Sequence, residues 1–226
     1  MKKTIFITGA TSGIGKATAE VFAKQGHRLI ICGRRKEVLD NLQIQLSNFT
    51  DVYSLVFDVR NQQEVQNAIN SLPEDWKNID VLVNNAGNAH GLEPISDANI
   101  SDWDAMMDGN VKGLLYVSQP IIKLMKANNS GHIVNISSVA ARQTYANGTV
   151  YCASKKAVDV ISEGMRLELT EFGIKVTNVQ PGAVETDFSK VRFKGDEERA
   201  ATVYAGYEPL IAEDIADAIS YCVNAP

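Results

Sequence analysis

Tyr151 and Lys155 stand four residues apart in a stretch of helical periodicity, so a phenol and an ammonium lie one turn apart on one face. That pair suits acid/base chemistry. A free phenol has a pKa near 10, and bringing it to neutrality takes about 3 units, or roughly 4 kcal/mol. An ammonium about 4 Å away, at an effective dielectric near 20, supplies about that much. A phenol tuned in this way can take or give the proton that accompanies hydride transfer between an alcohol and an oxidised nicotinamide, whose positive ring adds to the effect. A Tyr-x-x-x-Lys pair also arises by chance in many helices, so the rest of the chain has to decide.

A second constellation lies at the start of the chain. A β-branched run, Thr4–Thr8, leads into Gly9-Ala10-Thr11-Ser12-Gly13-Ile14-Gly15 and then into a helical pattern. Glycines there let a pyrophosphate approach the backbone, and the helix N-terminus offers unpaired N–H groups and the positive end of its dipole. Gly15-Lys16 does not make this a nucleotide-triphosphatase loop, because Ala10 and Ala17 replace the first glycine and the Ser/Thr which that loop needs. After the second strand, where an NAD enzyme places an acid on the ribose hydroxyls, the chain reads Cys32-Gly33-Arg34-Arg35. Two guanidinium groups there suit the 2′-phosphate of NADP. The alternative is that both arginines merely begin an exposed helix.

The elements that must hold these groups follow from alternation. Strand patterns at Thr4–Thr8, Arg28–Cys32, Val52–Phe57, Val81–Asn84, His132–Ile136 and Lys175–Val179 are separated by helical stretches near 14–25, 36–47, 61–71, 101–127 and 150–172, with a last one near 213–223. That rhythm predicts an α/β fold: a doubly wound, Rossmann-like parallel sheet of six strands with helices on both faces, in one domain spanning 1–226. The stretch 183–211 is irregular and charged, and reads either as a mobile lid or as a solvated loop. A chain of 226 residues, 45% hydrophobic and 22% charged, has the composition of a folded globular protein. Its net charge of −5, with basic residues dispersed, argues against nucleic acid as a partner. No run approaches a membrane span, and glycines interrupt the apolar start before it resembles a signal peptide. The three cysteines, Cys32, Cys152 and Cys222, lack the spacing of a zinc site or a disulfide framework, which points to the reducing cytoplasm and to no metal. Cys152 reads as a small packing residue.

Taken together these motifs resemble the short-chain dehydrogenase/reductase family along essentially the whole chain. The matching residues are Thr8-Gly9-x-x-x-Gly13-Ile14-Gly15, Asp58-Val59, Asn84-Asn85-Ala86-Gly87, Asn110, Ser138, Tyr151-x-x-x-Lys155 and Pro181-Gly182. By that resemblance Ser138 bonds the substrate oxygen and Tyr151 transfers the proton. Lys155 holds the nicotinamide ribose, and Asn110 completes a water-linked proton path. Ser137 competes for the serine role, but Ser138 has the family's spacing to Tyr151. The cofactor is expected along Gly9, Thr11, Ser12, Gly13, Ile14, Gly15, Arg34 and Arg35, with Asp58 and Val59 at the adenine. Asn85, Ala86 and Gly87 fall at the ribose, and Pro181, Gly182, Val184 and Thr186 along the nicotinamide. Family members are commonly tetramers, and they carry a seventh strand and a C-terminal tail beyond the helix that ends here near Val223.

Within the family, Leu72-Pro73-x-x-Trp76-x-Asn78-Ile79-Asp80 and Val191–Asp196 are similar to NADP-dependent 3-hydroxy acid dehydrogenases, which act on serine, allo-threonine and related acids. A carboxylate substrate needs a cation, and Arg142 and Arg192 are the candidates. Each can equally be an exposed surface arginine. His90 either faces the substrate or is a surface histidine. The rival readings are a broad carbonyl or 3-oxoacyl reductase with the same catalytic residues, and a regulator that senses NADPH without turnover.

Overall fold

The computed structural model describes every residue except Met1, Ala205, Tyr207 and Pro226. Its main sheet is six parallel strands: β1 Thr4–Thr8, β2 Arg28–Gly33, β3 Val52–Val56, β4 Val81–Asn84, β5 Gly131–Ile136 and β6 Ile174–Val179. They lie in the order β3-β2-β1-β4-β5-β6, so the winding reverses between β1 and β4. A crevice opens at such a reversal, outside the carboxyl ends of the two strands. The expected strand positions hold to within a residue at each end.

Strand alternation divides the core in two. Phe6, Ile30, Leu82 and Ile133 point to the face covered by α3 Gln62–Asn70, α5 Gly113–Ala127 and α6 Thr149–Leu169, whose Val65, Ile121, Val158 and Met165 fill that layer. Ile5, Ile7, Leu29, Ile31, Val81 and Val83 point to the other face, under α1 Gly13–Lys24, α2 Lys36–Leu46 and the last helix, Ala212–Asn224. Both faces of every central strand are therefore dry, which is why these strands read as continuous apolar runs rather than as alternating ones. Asn84 and Asn135 break the pattern. They are cross-strand neighbours, Asn84 Nδ2 donating to Asn135 Oδ1 at 2.9 Å, and hydroxyls of Ser118 and Ser162 close the chain at 2.9 Å on either side. This buried rung ties β4 and β5 to α5 and α6 just below the site.

Two expectations need correcting. The single helix predicted over 101–127 is interrupted: α4 Ile100–Met107 passes into a π-helical turn, Asp108–Lys112, before α5. Such a turn holds one extra residue, and here it carries Asn110 inward. Gly109 and Gly113 let it pack closely, since a Cβ at either would stand 2.9 Å from Asn88 Nδ2 or Val59 Cγ2. The stretch 183–211 also has structure of its own. A short strand, β7 Val184–Glu185, pairs in parallel with β8 Leu210–Ile211, and α7 Phe188–Arg192 and α8 Glu197–Thr202 lie between them, ahead of the last helix, α9.

Candidate active site

A cleft of about 510 Å³ opens at the strand-order reversal. Its floor is the turn after β1. Gly15 approaches so closely that a Cβ would run into the Gly9 carbonyl oxygen and the Asn85 amide, and Gly9 itself has φ +65°. Thr8 and Asn85 lock the ends of β1 and β4 together: Thr8 Oγ1 accepts from the backbone N–H groups of Asn85 and Ala86 at 2.9 Å, and Asn85 Nδ2 donates to Thr8 O at 2.9 Å. The Asn85 side chain is thus spent on the scaffold. Gly15 does not line the cleft; it makes room beneath it.

At the outer end, Arg35 reaches back across the turn. Its Nη2 donates to Thr11 Oγ1 at 2.9 Å, Ser12 Oγ at 3.1 Å and Thr11 O at 3.2 Å. Arg34 lies 3.7 Å from Asp58 Oδ2, while Arg60 grips the same carboxylate at 2.6 Å. Burial opposes ionisation of Asp58, but the bonds from Arg60 and the charge of Arg34 hold its carboxyl below the usual range. Two arginines and two hydroxyls converging on one rim form a donor set suited to a phosphate monoester, and glycine-rich backbone leads inward from it. These residues fit a 2′-phosphorylated dinucleotide. The Arg35–Thr11 contact was missed in the sequence because it depends on how separate turns meet, and Arg60 was missed although its partner, Asp58, stands only two residues before it.

At the inner end, α6 brings Tyr151 and Lys155 to the cleft wall beside Ser138, which begins a short 3-10 turn after β5. Ser137 and Ser138 separate cleanly. Ser137 donates to the Lys155 carbonyl at 2.9 Å, inside the core, whereas Ser138 lines the cleft with Tyr151, its Oγ accepting from Ala140 N at 3.1 Å. Lys155 Nζ donates to Ile136 O at 2.9 Å and lies 6.0 Å from the centre of the Tyr151 ring. Asn110 sits behind Gly87 rather than on the lining. Its Oδ1 accepts from Asn88 N at 2.7 Å, and its Nδ2 donates to Asn88 O and to Ser154 Oγ at 2.9 Å. Ser154 hands the chain on to Tyr151 O at 2.7 Å. Val59, Ala86, Pro181, Gly182, Val184 and Thr186 all line the cleft.

The expectation that Lys155 by itself draws the phenol to neutrality is corrected by burial. Desolvation pushes Tyr151 up to about 12 and Lys155 down to about 8. The ammonium's own charge is disfavoured in the same dry pocket. Against burial, the neighbouring Ser138 hydroxyl and the charge of Arg192 pull the phenol down.

The two candidate cations part company. Arg142 is exposed and lines neither this cleft nor the small cavity beside Tyr151; its charge is felt by Asp159. Arg192 lines the small cavity with Tyr151, His90, Trp103 and Met106, and its guanidinium lies 5.6 Å from the Tyr151 ring. Tyr145, which the sequence reading did not single out, accepts from Arg192 Nη1 at 3.0 Å. Cys152 is buried against the Tyr151 cluster. Among the described residues no group of three or more His, Cys, Asp or Glu is placed to hold a metal, and no helix is long and apolar enough to cross a membrane.

A parallel sheet with a glycine turn at its reversal, facing a Tyr-x-x-x-Lys helix and a serine, defines a class of dinucleotide-binding fold. The chain belongs to the short-chain dehydrogenase family, whose model matches residues 3–197. It is 42% identical to the NADP-dependent 3-hydroxy acid dehydrogenase of Salmonella typhi over 98% of this chain and 89% of that one. It is 40% identical to sulfoacetaldehyde reductase 2 of Chromohalobacter salexigens, covering 100% of this chain and 90% of that one. Among solved structures, the closed form of a serine dehydrogenase complexed with NADP+ superposes with a TM-score of 0.94 at 41% identity, covering 99% of this chain and 90% of the other.

Proposed function

We propose that this NADP-dependent oxidoreductase oxidises small 3-hydroxy acids of the serine, allo-threonine or 3-hydroxypropionate type, with Tyr151 as its acid/base. The observation that carries the reading is the meeting of Tyr151, Ser138 and Lys155 with the Arg192 cation at the inner end of a cleft whose outer rim is Arg34, Arg35, Thr11 and Ser12. NADP, when bound, supplies the hydride acceptor. Arg34 and Arg35 take its 2′-phosphate, Asp58 and Val59 border the adenine, and Lys155 holds the ribose.

Ser138 donates to the substrate hydroxyl oxygen and orients it. Tyr151 removes the hydroxyl proton as the carbonyl forms, and Lys155 and Asn110 return that proton toward water. Arg192 receives the carboxylate: its Nε and Nη1 are bonded to Gly91 O and Tyr145 Oη, which leaves Nη2 for the substrate. The β-keto acid so formed can lose carbon dioxide without further help. In this reading residues 183–211 are a lid over one catalytic domain, and the enzyme is cytoplasmic and tetrameric, using the exposed faces of α5 and α6. The second reading is a reductase of a small anionic aldehyde, favoured by the similarity to a sulfoacetaldehyde reductase. Arg192 suits a sulfonate as well as a carboxylate.

Initial rates followed at the NADPH absorbance test both readings. NADP or NAD is paired with L-serine, L-allo-threonine, 3-hydroxypropionate or a plain secondary alcohol, and NADPH with sulfoacetaldehyde. Turnover of the hydroxy acids with NADP that falls at least about 100-fold in Tyr151→Phe supports the first. Turnover confined to the aldehyde sinks it in favour of the second.

A further inference from the structure

Arg192 is placed with more care than a substrate anchor needs. It ends α7, and its main chain and side chain clasp one glycine from both sides: Gly91 N donates to Arg192 O at 2.9 Å, and Arg192 Nε donates to Gly91 O at 3.0 Å. Gly91 has φ +68°, and a Cβ there would strike the Glu93 carboxylate, so the docking point is built around a glycine. Tyr145 holds the other edge of the guanidinium, and its own ring is packed over Gly148, where a Cβ would collide with it. The guanidinium carbon then lies 5.5 Å from the Tyr145 ring and 5.6 Å from the Tyr151 ring.

The surrounding charges decide what this cation does. Lys155 and Cys152 share α6 with Tyr151, and Tyr145 precedes that helix. Across the small cavity stand His90, Glu93 and Asp102, while Asp187 lines the cleft at the start of α7. Asp102 is paired with Lys194 at 2.9 Å and Glu93 with Arg199 at 3.2 Å. Lys190, also on α7, is paired with Glu197 at 3.3 Å. Among the described residues Arg192 has no carboxylate partner; its bonds go to a neutral phenol and a carbonyl. Until a substrate carboxylate arrives, its field therefore reaches Tyr151 uncompensated.

We propose that Arg192 is a positioning residue for proton transfer: docking of α7 onto Gly91 delivers an unpaired positive charge to the Tyr151 phenol, so the phenol becomes reactive only in the docked enzyme. This rests on the reading of Tyr151 as the acid/base and adds a second task to an arginine otherwise read as an anchor. The direction of the Arg192 effect on the phenol, downward against burial, agrees with it.

The test is the pH dependence of kcat/KM for oxidation by the full chain and its Arg192→Gln and Arg192→Lys variants, since kcat/KM reports the enzyme before the substrate carboxylate reaches Arg192. Alongside it, a tyrosinate absorbance titration with NADP bound is read for each protein against the same protein carrying Tyr151→Phe, so that the Tyr151 signal is isolated without turnover. Arg192→Gln should move the midpoint of both curves up by about one pH unit, and Arg192→Lys, which keeps the charge, by less than about half of that. A raised KM for the hydroxy acid with both midpoints unmoved overturns the proposal and leaves Arg192 as an anchor only. Turnover that survives Tyr151→Phe is a different failure, that of the acid/base reading itself.

Discussion

The floor of the cleft and the segment that covers its inner end are held by opposite means. Around Gly9, Gly15, Thr8 and Asn85 the contacts are backbone to backbone or a buried side chain to backbone, and no methyl group fits between them. Along 183–211 the attachments are Lys194 to Asp102, Arg199 to Glu93 and the Arg192–Gly91 clasp, with Phe193 and Ser189 as its buried anchors. Exposed ion pairs contribute about 0–1 kcal/mol each, whereas overpacking a close approach costs about 1–3 kcal/mol. On the proposed reading the floor is a fixed mould for the cofactor, and the segment a lightly held cover that a small substrate can shift.

If that contrast is right, Gly15→Ala carries the largest penalty. Its Cβ meets backbone and the Asn85 amide, so urea denaturation should show a loss of about 2–3 kcal/mol. Gly164→Ala is the control. It lies in α6 with open space around it, and it should gain roughly 0.5–1 kcal/mol from helix propensity. Equal behaviour of the two would mean the floor has slack. Next in size is Arg35→Ala. Losing charge-assisted bonds to a phosphate should weaken NADP binding by about 10–100-fold and leave NAD untouched, as read by fluorescence titration. Equal losses for both cofactors would make Arg35 a brace for Thr11 and Ser12 rather than a phosphate ligand.

The same contrast explains what the sequence disclosed. The floor is local in the chain: a strand, a glycine turn and a helix follow one another within Thr4–Lys24, so periodicity and turn chemistry locate it. Tyr151 and Lys155 are legible for the same reason, both lying on one helix. Asn110 was named only through a family motif, since its place depends on a π-helical turn that helical periodicity hides. Arg192 was one of two equal candidates, and only the fold could bring it to Gly91, a hundred residues away in the chain. Tyr145 and Ser154 escaped because their partners Arg192 and Asn110 come from other elements, whereas Arg60 pairs locally with Asp58 and only the fold brings it to the cleft.

A third test separates the sheet from the segment. His132 is the second residue of β5, at the end far from the site, with its Nε2 2.8 Å from Thr177 Oγ1. Burial, then the charges of Lys175 and Lys3, lower it from 6.5 to about 4. The folded state therefore keeps this ring neutral where the unfolded chain has already taken a proton. Stability is fully present above 6.5 and falls as pH drops from there toward about 4. Allowing for solvent that reaches the ring, the loss is about 1–2 kcal/mol, visible as a falling urea midpoint that His132→Gln flattens. If the midpoint holds to pH 4.5, water or a rearranged Thr177 stabilises the charged ring.

The smallest effect belongs to the cover. Lys194→Ala with Arg199→Ala removes both ion pairs, and each was worth at most about 1 kcal/mol. The denaturation midpoint should stay in place, because the sheet and its two cores are untouched. What should move is KM for the hydroxy acid, upward by about 2–5-fold, with kcat kept, since docking is made harder while the docked site is unchanged. Salt supplies the internal check. Screening acts over about 8 Å at 0.15 M, so the native enzyme's KM should climb with ionic strength, and more steeply than that of the double variant, which has already lost those attractions. Both proteins keep Arg192 on Gly91, so any slope they share belongs to Arg192 and the substrate charge. Identical slopes would show that the two pairs are ornaments of a segment held by Phe193 and the Gly91 clasp, and the cover would then be nearly as rigid as the floor.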